Sequence, residues 1–103
     1  MKVVQKEIFG PIVTAMCFDD PDEAITLAND TPYSLAGSIG TCDVSKAHRM
    51  AASIRAGLLW ISCHGIPDIA VPFDGYKQSG WGRENGWEGL EKYTELKSVL
   101  TLL

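Results

Sequence analysis

An α/β fold is what this 103-residue chain predicts: a partial parallel sheet of βαβαβ type with a long Gly-rich loop, a short helix and a C-terminal strand. Three observations carry that reading. Strand-like apolar runs alternate with helix-like periodic stretches over the first 62 residues, with short links between them. That order favours parallel strands joined by right-handed crossovers. The alternation stops between Cys63 and about Gly86, where glycines, Pro67 and Pro72 accumulate over more residues than a connection needs. Beyond it, Lys97 to Leu103 returns to an apolar run of strand-forming composition.

The elements follow in order. Ile12 to Phe18 is short, apolar and rich in strand formers, and reads as a buried strand. Asp20 is placed to cap a helix, with Pro21 at its first position and Glu23 able to reach back in a capping box. That helix is expected to run to about Asn29 and to bury Ala24, Ile25, Leu27 and Ala28, until Thr31-Pro32-Tyr33-Ser34 breaks it. Leu35 to Thr41 reads as a second strand, with Gly37 and Gly40 marking close backbone approach. Asp43 caps a second helix whose Val44, Ala47, Ala51 and Ile54 recur at helical spacing, and Gly57 is its expected C-cap. Leu58 to Ser62 reads as a third strand and Trp87 to Tyr93 as a short helix.

Composition narrows the function classes. Hydrophobic residues make up 46% and charged residues 21%, ordinary values for a folded domain. The net charge is −4, and the scattered Lys and Arg give no electrostatic footprint for nucleic acid. No apolar run is long enough to cross a bilayer, and the N-terminus lacks the h-region of a signal peptide. Three irregularly spaced cysteines, Cys17, Cys42 and Cys63, argue against a disulfide framework and for a reducing cytoplasm. Cys17 and Cys42 read as buried small hydrophobes, and His48 as a solvated helix residue. No Cys and His spacing matches a zinc site.

Two motifs carry more than architecture. Glu7-Ile8-Phe9-Gly10-Pro11 stands near the start, and Pro72-Phe73-Asp74-Gly75-Tyr76-Lys77-Gln78-Ser79-Gly80-Trp81-Gly82-Arg83-Glu84 near the end. Between and after them come Glu23-Ala24-Ile25, Ala28-Asn29, Tyr33-Ser34-Leu35-Ala36, Ala56-Gly57, Trp60-Ile61, Gly89-Leu90, Tyr93-Thr94-Glu95 and Lys97. In this order the set resembles the C-terminal part of the catalytic domain of the aldehyde dehydrogenase superfamily, from about Val4 to Val99. The resemblance implies descent from an NAD- or NADP-dependent enzyme that oxidises an aldehyde to an acid. Members of that family are several times longer, so it also implies a single partial domain over 1–103, with 94–103 as an oligomerisation strand.

The resemblance implies roles residue by residue. Glu7 and Phe9 match the family's cofactor-facing pair, a carboxylate for the nicotinamide ribose hydroxyls and a ring beside the nicotinamide. An acceptor-only carboxylate suits a diol of donors. Ser62, Cys63 and Phe73 match positions lining the substrate pocket. Ser62 stands where many members have Asn, and Asp74 where the family usually has Gly. An Asp at a tight turn tolerates a left-handed backbone better than most residues. The family's nucleophilic Cys, general-base Glu and oxyanion-hole Asn lie before the Glu7 motif, so no catalytic residue is assigned here. The chain alone is expected to be inactive and to bind no cofactor. Cys63 does not replace the nucleophile, because neighbouring strand side chains point to opposite faces and His64 is therefore not its partner. Gly75 to Gly86 fits neither the Walker nor the dinucleotide spacing and reads as a permissive loop.

The alternative from another class is a small assembly module that binds itself or a full-length relative. Its motive is the uncharged run Ser98-Val99-Leu100-Thr101-Leu102-Leu103, which invites pairing with another chain. Both readings expect self-association or contact with the remainder of an enzyme, as a homo-oligomer, with neither nucleic acid nor membrane as a partner.

Overall fold

The structure is a computed structural model and describes residues 2–103. Its elements are α1 (Lys2–Gln5), α2 (Pro21–Asn29), β1 (Tyr33–Ser34), β2 (Ala36–Ile39), α3 (Val44–Ser53), β3 (Leu58–Ile61), β4 (Tyr76–Lys77) and α4 (Gly86–Glu91).

Local capping starts the two main helices. The Asp20 side chain accepts from the amides of Asp22 and Glu23 at 2.9 and 2.8 Å, with Pro21 opening α2 where its missing N–H costs nothing. The Glu23 carboxylate does reach back, but to the Asp19 amide at 2.7 Å rather than to the cap residue itself. The Asp43 side chain accepts from the Lys46 amide at 2.9 Å and starts α3. Helix α3 ends at Ser53, with Ile54 as its cap. Gly57 is therefore not the C-cap the sequence led us to expect. It sits three residues further on, where a Cβ would collide with the Asp74 carbonyl oxygen.

The α/β class and the parallel pairing hold. β2 and β3 run parallel in the register Ala36↔Leu58 to Ile39↔Ile61, joined through α3. The Ser62 amide adds one more bond to the Ile39 carbonyl at 2.8 Å. A second, antiparallel pair joins β1 to β4 with Tyr33 opposite Lys77 and Ser34 opposite Tyr76. This pairing folds the Gly-rich stretch back onto the chain. Sequence reading did not anticipate it, because two-residue strands carry no period.

Two expected strands stay out of any ladder. Residues 12–18 and 97–103 have no strand partner among the described residues. Both are exposed, with Val13 at 93% and Leu100 at 99%. The composition that marks them as strand formers is present, but a strand needs a neighbour to satisfy its N–H and C=O groups.

The core is correspondingly small. Ile39 and Ala47 are its buried hydrophobic residues, while α2 holds no buried residue and Ala28 is exposed. Val44, expected on the inner face of α3, is exposed. So are Cys17 and Cys42, which sequence reading had placed inside, and Cys63; all three are free thiols. The radius of gyration is 18.1 Å, against about 13 Å for a compact domain of this size. The difference lies in extended segments that do not pack on the α2–α3–β2–β3 body.

Candidate functional site

The five residues singled out by sequence fall into two concave regions and one hinge. Glu7 and Phe9 follow α1 and line a concavity of about 300 Å³. Phe9 has φ 55 and is 93% exposed. A left-handed backbone is uncommon for a bulky residue, and such positions cluster where surrounding structure or function over-determines them. The next turn is tight. The Ile12 amide donates to the Gly10 carbonyl at 2.7 Å around Pro11, which has no amide of its own to lose.

Cys63 and Phe73 share a second concavity of about 530 Å³, walled mainly by Leu58, Trp60, Ile66 and Val71. Phe73 is held by a two-bond bridge to Glu84, amide to carbonyl at 2.8 Å and back at 2.7 Å. Trp60 is fixed at both ends. Its indole N–H donates to the Ile66 carbonyl at 3.1 Å, and its ring meets His64 edge-on with centroids 5.2 Å apart. Sequence reading treated Trp60 only as a strand residue. A tryptophan in a strand that leads into a long loop was the signal available.

Ser62 does not line that concavity. Its backbone turns at φ 54, and its hydroxyl donates to the Thr41 carbonyl at 3.2 Å, tying the end of β3 to the end of β2. It is a hinge between strand and loop. His64 is committed elsewhere as well: its Nδ1 shares a hydrogen bond with the Ser38 hydroxyl at 2.6 Å. Cys63 and His64 both lie beyond the end of β3, so the strand alternation expected to separate them does not apply there; the hydrogen-bond partner of the His64 side chain is Ser38. Among the described residues no group of three or more His, Cys, Asp or Glu is placed to hold a metal ion.

Asp74 sits differently from its expected part. The left-handed residue of its turn is Lys77, with φ 51, and not Asp74. The Asp74 carboxylate instead accepts from the following Gly75 amide at 2.6 Å.

The model of the aldehyde dehydrogenase family matches residues 1–99. This chain belongs to the aldehyde dehydrogenase family. Betaine aldehyde dehydrogenase of Rhizobium etli (strain CIAT 652) is 46% identical over 99 residues, which is 96% of this chain and 20% of that protein. The indole-3-acetaldehyde dehydrogenase AldA of P. syringae, solved with NAD+ and IAA, is 47% identical with a TM-score of 0.92, over 96% of this chain and 20% of that one. Betaine aldehyde dehydrogenase of Staphylococcus aureus, solved with NAD+, is 48% identical with a TM-score of 0.88, over 90% of this chain and 18% of that one. The chain thus spans about a fifth of the length of the aldehyde dehydrogenases it matches. Among the described residues no helix is long and apolar enough to cross a membrane.

Proposed function

We propose that this chain is the cofactor-edge and pocket-loop portion of a cytoplasmic NAD- or NADP-dependent aldehyde dehydrogenase, and that it is inert until the rest of such an enzyme completes it. One observation carries the reading. A segment nearly half identical to aldehyde dehydrogenases covers only a fifth of them, and among the described residues it buries two hydrophobic side chains, Ile39 and Ala47. Surface this apolar fits a piece that packs against more protein.

Glu7 and Phe9 fit one end of a nicotinamide cofactor. The chemistry suits it: an exposed carboxylate that only accepts, and an exposed flat ring, on one concavity of about 300 Å³. In the whole enzyme the cofactor supplies the hydride acceptor. Glu7 would hold the ribose hydroxyls and Phe9 would lie against the ring. Cys63 and Phe73 would line the substrate entrance, with Ser62 as the hinge that aims this loop. Thioester-type hydride chemistry further needs a thiolate nucleophile and a donor for the oxyanion. In the resembling family both come from segments before the Glu7 motif. Substrates of the betaine aldehyde or indole-3-acetaldehyde kind follow from the names of the relatives.

The purified chain, mixed with NAD+ or NADP+ and either aldehyde, is expected to form no reduced cofactor. Aldehyde-dependent reduction that survives repurification would overturn the reading.

The exposed terminal run supports a second role, assembly with another chain. Leu96, Leu100, Leu102 and Leu103 are each almost wholly exposed. We assign 94–103 to pairing with the remainder of an enzyme or with a second copy.

A further inference from the structure

The loop after β3 is fastened at two points. The Trp60 indole N–H donates to the Ile66 carbonyl at 3.1 Å, which joins the strand to the far side of the loop. Between them stands His64, whose ring meets the Trp60 ring edge-on with centroids 5.2 Å apart. Its Nδ1 shares a hydrogen bond of 2.6 Å with the Ser38 hydroxyl on β2. Ser38 and Trp60 are opposite one another in the parallel register, so one imidazole bears on both members of a single strand pair. Left-handed residues bracket it, Ser62 at φ 54 and Gly65 at φ 69, and turn the chain on either side of Cys63-His64. All these contacts run between residues of this chain, so none of them depends on what covers its outer faces.

The two neighbours in that dipeptide serve different places. Cys63 and Ile66 line the concavity shared with Phe73, and His64 does not. Ser38 and His64 are 26 positions apart, so their bond ties the loop to the sheet rather than to itself. A side chain held in this way by hydrogen bonding and packing fixes its neighbours without touching what they touch. We propose that His64, anchored by Ser38, is a positioning residue that sets where Cys63 and Ile66 stand on the wall of this concavity. A serine hydroxyl both donates and accepts, so the bond forms with either neutral tautomer and with the imidazolium, and the anchor is not a pH switch. That the wall belongs to a substrate entrance rests on the function proposed above. The anchor itself does not, and its test needs no aldehyde.

Hydrogen exchange of the Trp60 indole N–H, followed by NMR in the 103-residue chain, reads the closure of the loop. The Trp81 indole is the free reference, since that residue is 98% exposed. The Leu58 amide, bonded to the Leu35 carbonyl at the other end of β3, reports the sheet. Trp60 should exchange more slowly than Trp81. Ser38→Ala and His64→Ala should each speed exchange at Trp60 about fivefold or more and leave the Leu58 amide unchanged. The double variant should exchange no faster than His64→Ala, because the second change finds the bond already gone. Ser38→Thr keeps the hydroxyl and should restore the original rate. Where a variant does not fold, the unaltered chain decides: nuclear Overhauser contacts between the His64 and Trp60 rings support the anchor, and their absence overturns it. Equal exchange at the two indoles, no change at Trp60 in either alanine variant, additive effects of the two changes, or a Leu58 amide that speeds up as much as the Trp60 indole also overturns it.

Discussion

The Asn29 side chain bridges the ends of two helices: its Oδ1 accepts from the Arg55 amide at 2.8 Å, and its Nδ2 donates to the Ser53 carbonyl at 3.0 Å. Its own carbonyl accepts from Lys77 at 2.7 Å. One residue therefore ties the C-terminus of α2, the end of α3 and β4. Both helix ends would otherwise present unmatched carbonyls. Asn29→Ala should cost about 1–2 kcal/mol and should speed hydrogen exchange at the Arg55 amide. Asn29→Asp keeps the acceptor and loses the donor, so exchange at Arg55 should change less than with Ala. Equal exchange in both variants would remove Asn29 from this role.

The start of α2 should be more sensitive than the start of α3. Asp20 holds two amides and Asp43 holds one. Asp20→Ala is expected to lower helix content and to cost about 1 kcal/mol, with Asp20→Asn restoring most of it. Asp43→Ala should cost less. Helical ellipticity during urea titration reads both, and a larger loss at Asp43 would reverse the ranking.

Gly57 is expected to be the least replaceable glycine tested by alanine. A Cβ there would overlap the Asp74 carbonyl and crowd the Gly75 Cα, both backbone, so no rotamer change relieves it. The Gly57 amide also donates to the Ser34 and Leu35 carbonyls at 3.2 and 3.1 Å, which pins the approach. Gly57→Ala should cost more than about 2 kcal/mol or abolish soluble folding. Gly40→Ala is the control, since a Cβ there meets nothing within 4 Å. Protease protection compares the two, and equal protection would contradict the geometry.

Gly57 also marks what local reading can and cannot supply. The beginnings of α2 and α3 were legible because a cap and its helix lie within four residues of each other, as Asp20 and Asp43 show. Parallel pairing of β2 with β3 was legible because α3 stands between them. Gly57 was misread because its constraint is Asp74, seventeen positions along, reached only after β4 folds back on β1. Cys17 and Cys42 misled for a related reason. Burial preference describes a side chain in a filled core, and here few residues reach one. Phe73, named from its motif, and Cys63 share one concavity, whereas Ser62 is absent from its lining and turns at φ 54, which composition does not encode.

The terminal run supplies the last expectation. Leu100 and Leu102 are 99% and 101% exposed, and neither is part of a helix or strand among the described residues. Replacing them cannot disturb the α2–α3–β2–β3 body by removing a contact, so any change in molar mass must arise between chains. If the run pairs with a second copy, each leucine buried there contributes about 2 kcal/mol, near thirtyfold in affinity. Leu100→Glu and Leu102→Glu together should therefore lower self-association by roughly a thousandfold, because charges also oppose edge pairing. Light scattering during gel filtration measures this directly. A defined oligomer that falls to monomer on substitution supports assembly through 94–103. An oligomer unmoved by both changes would place the contact on the other unpaired segment, where Ile12, Val13, Met16 and Phe18 are exposed.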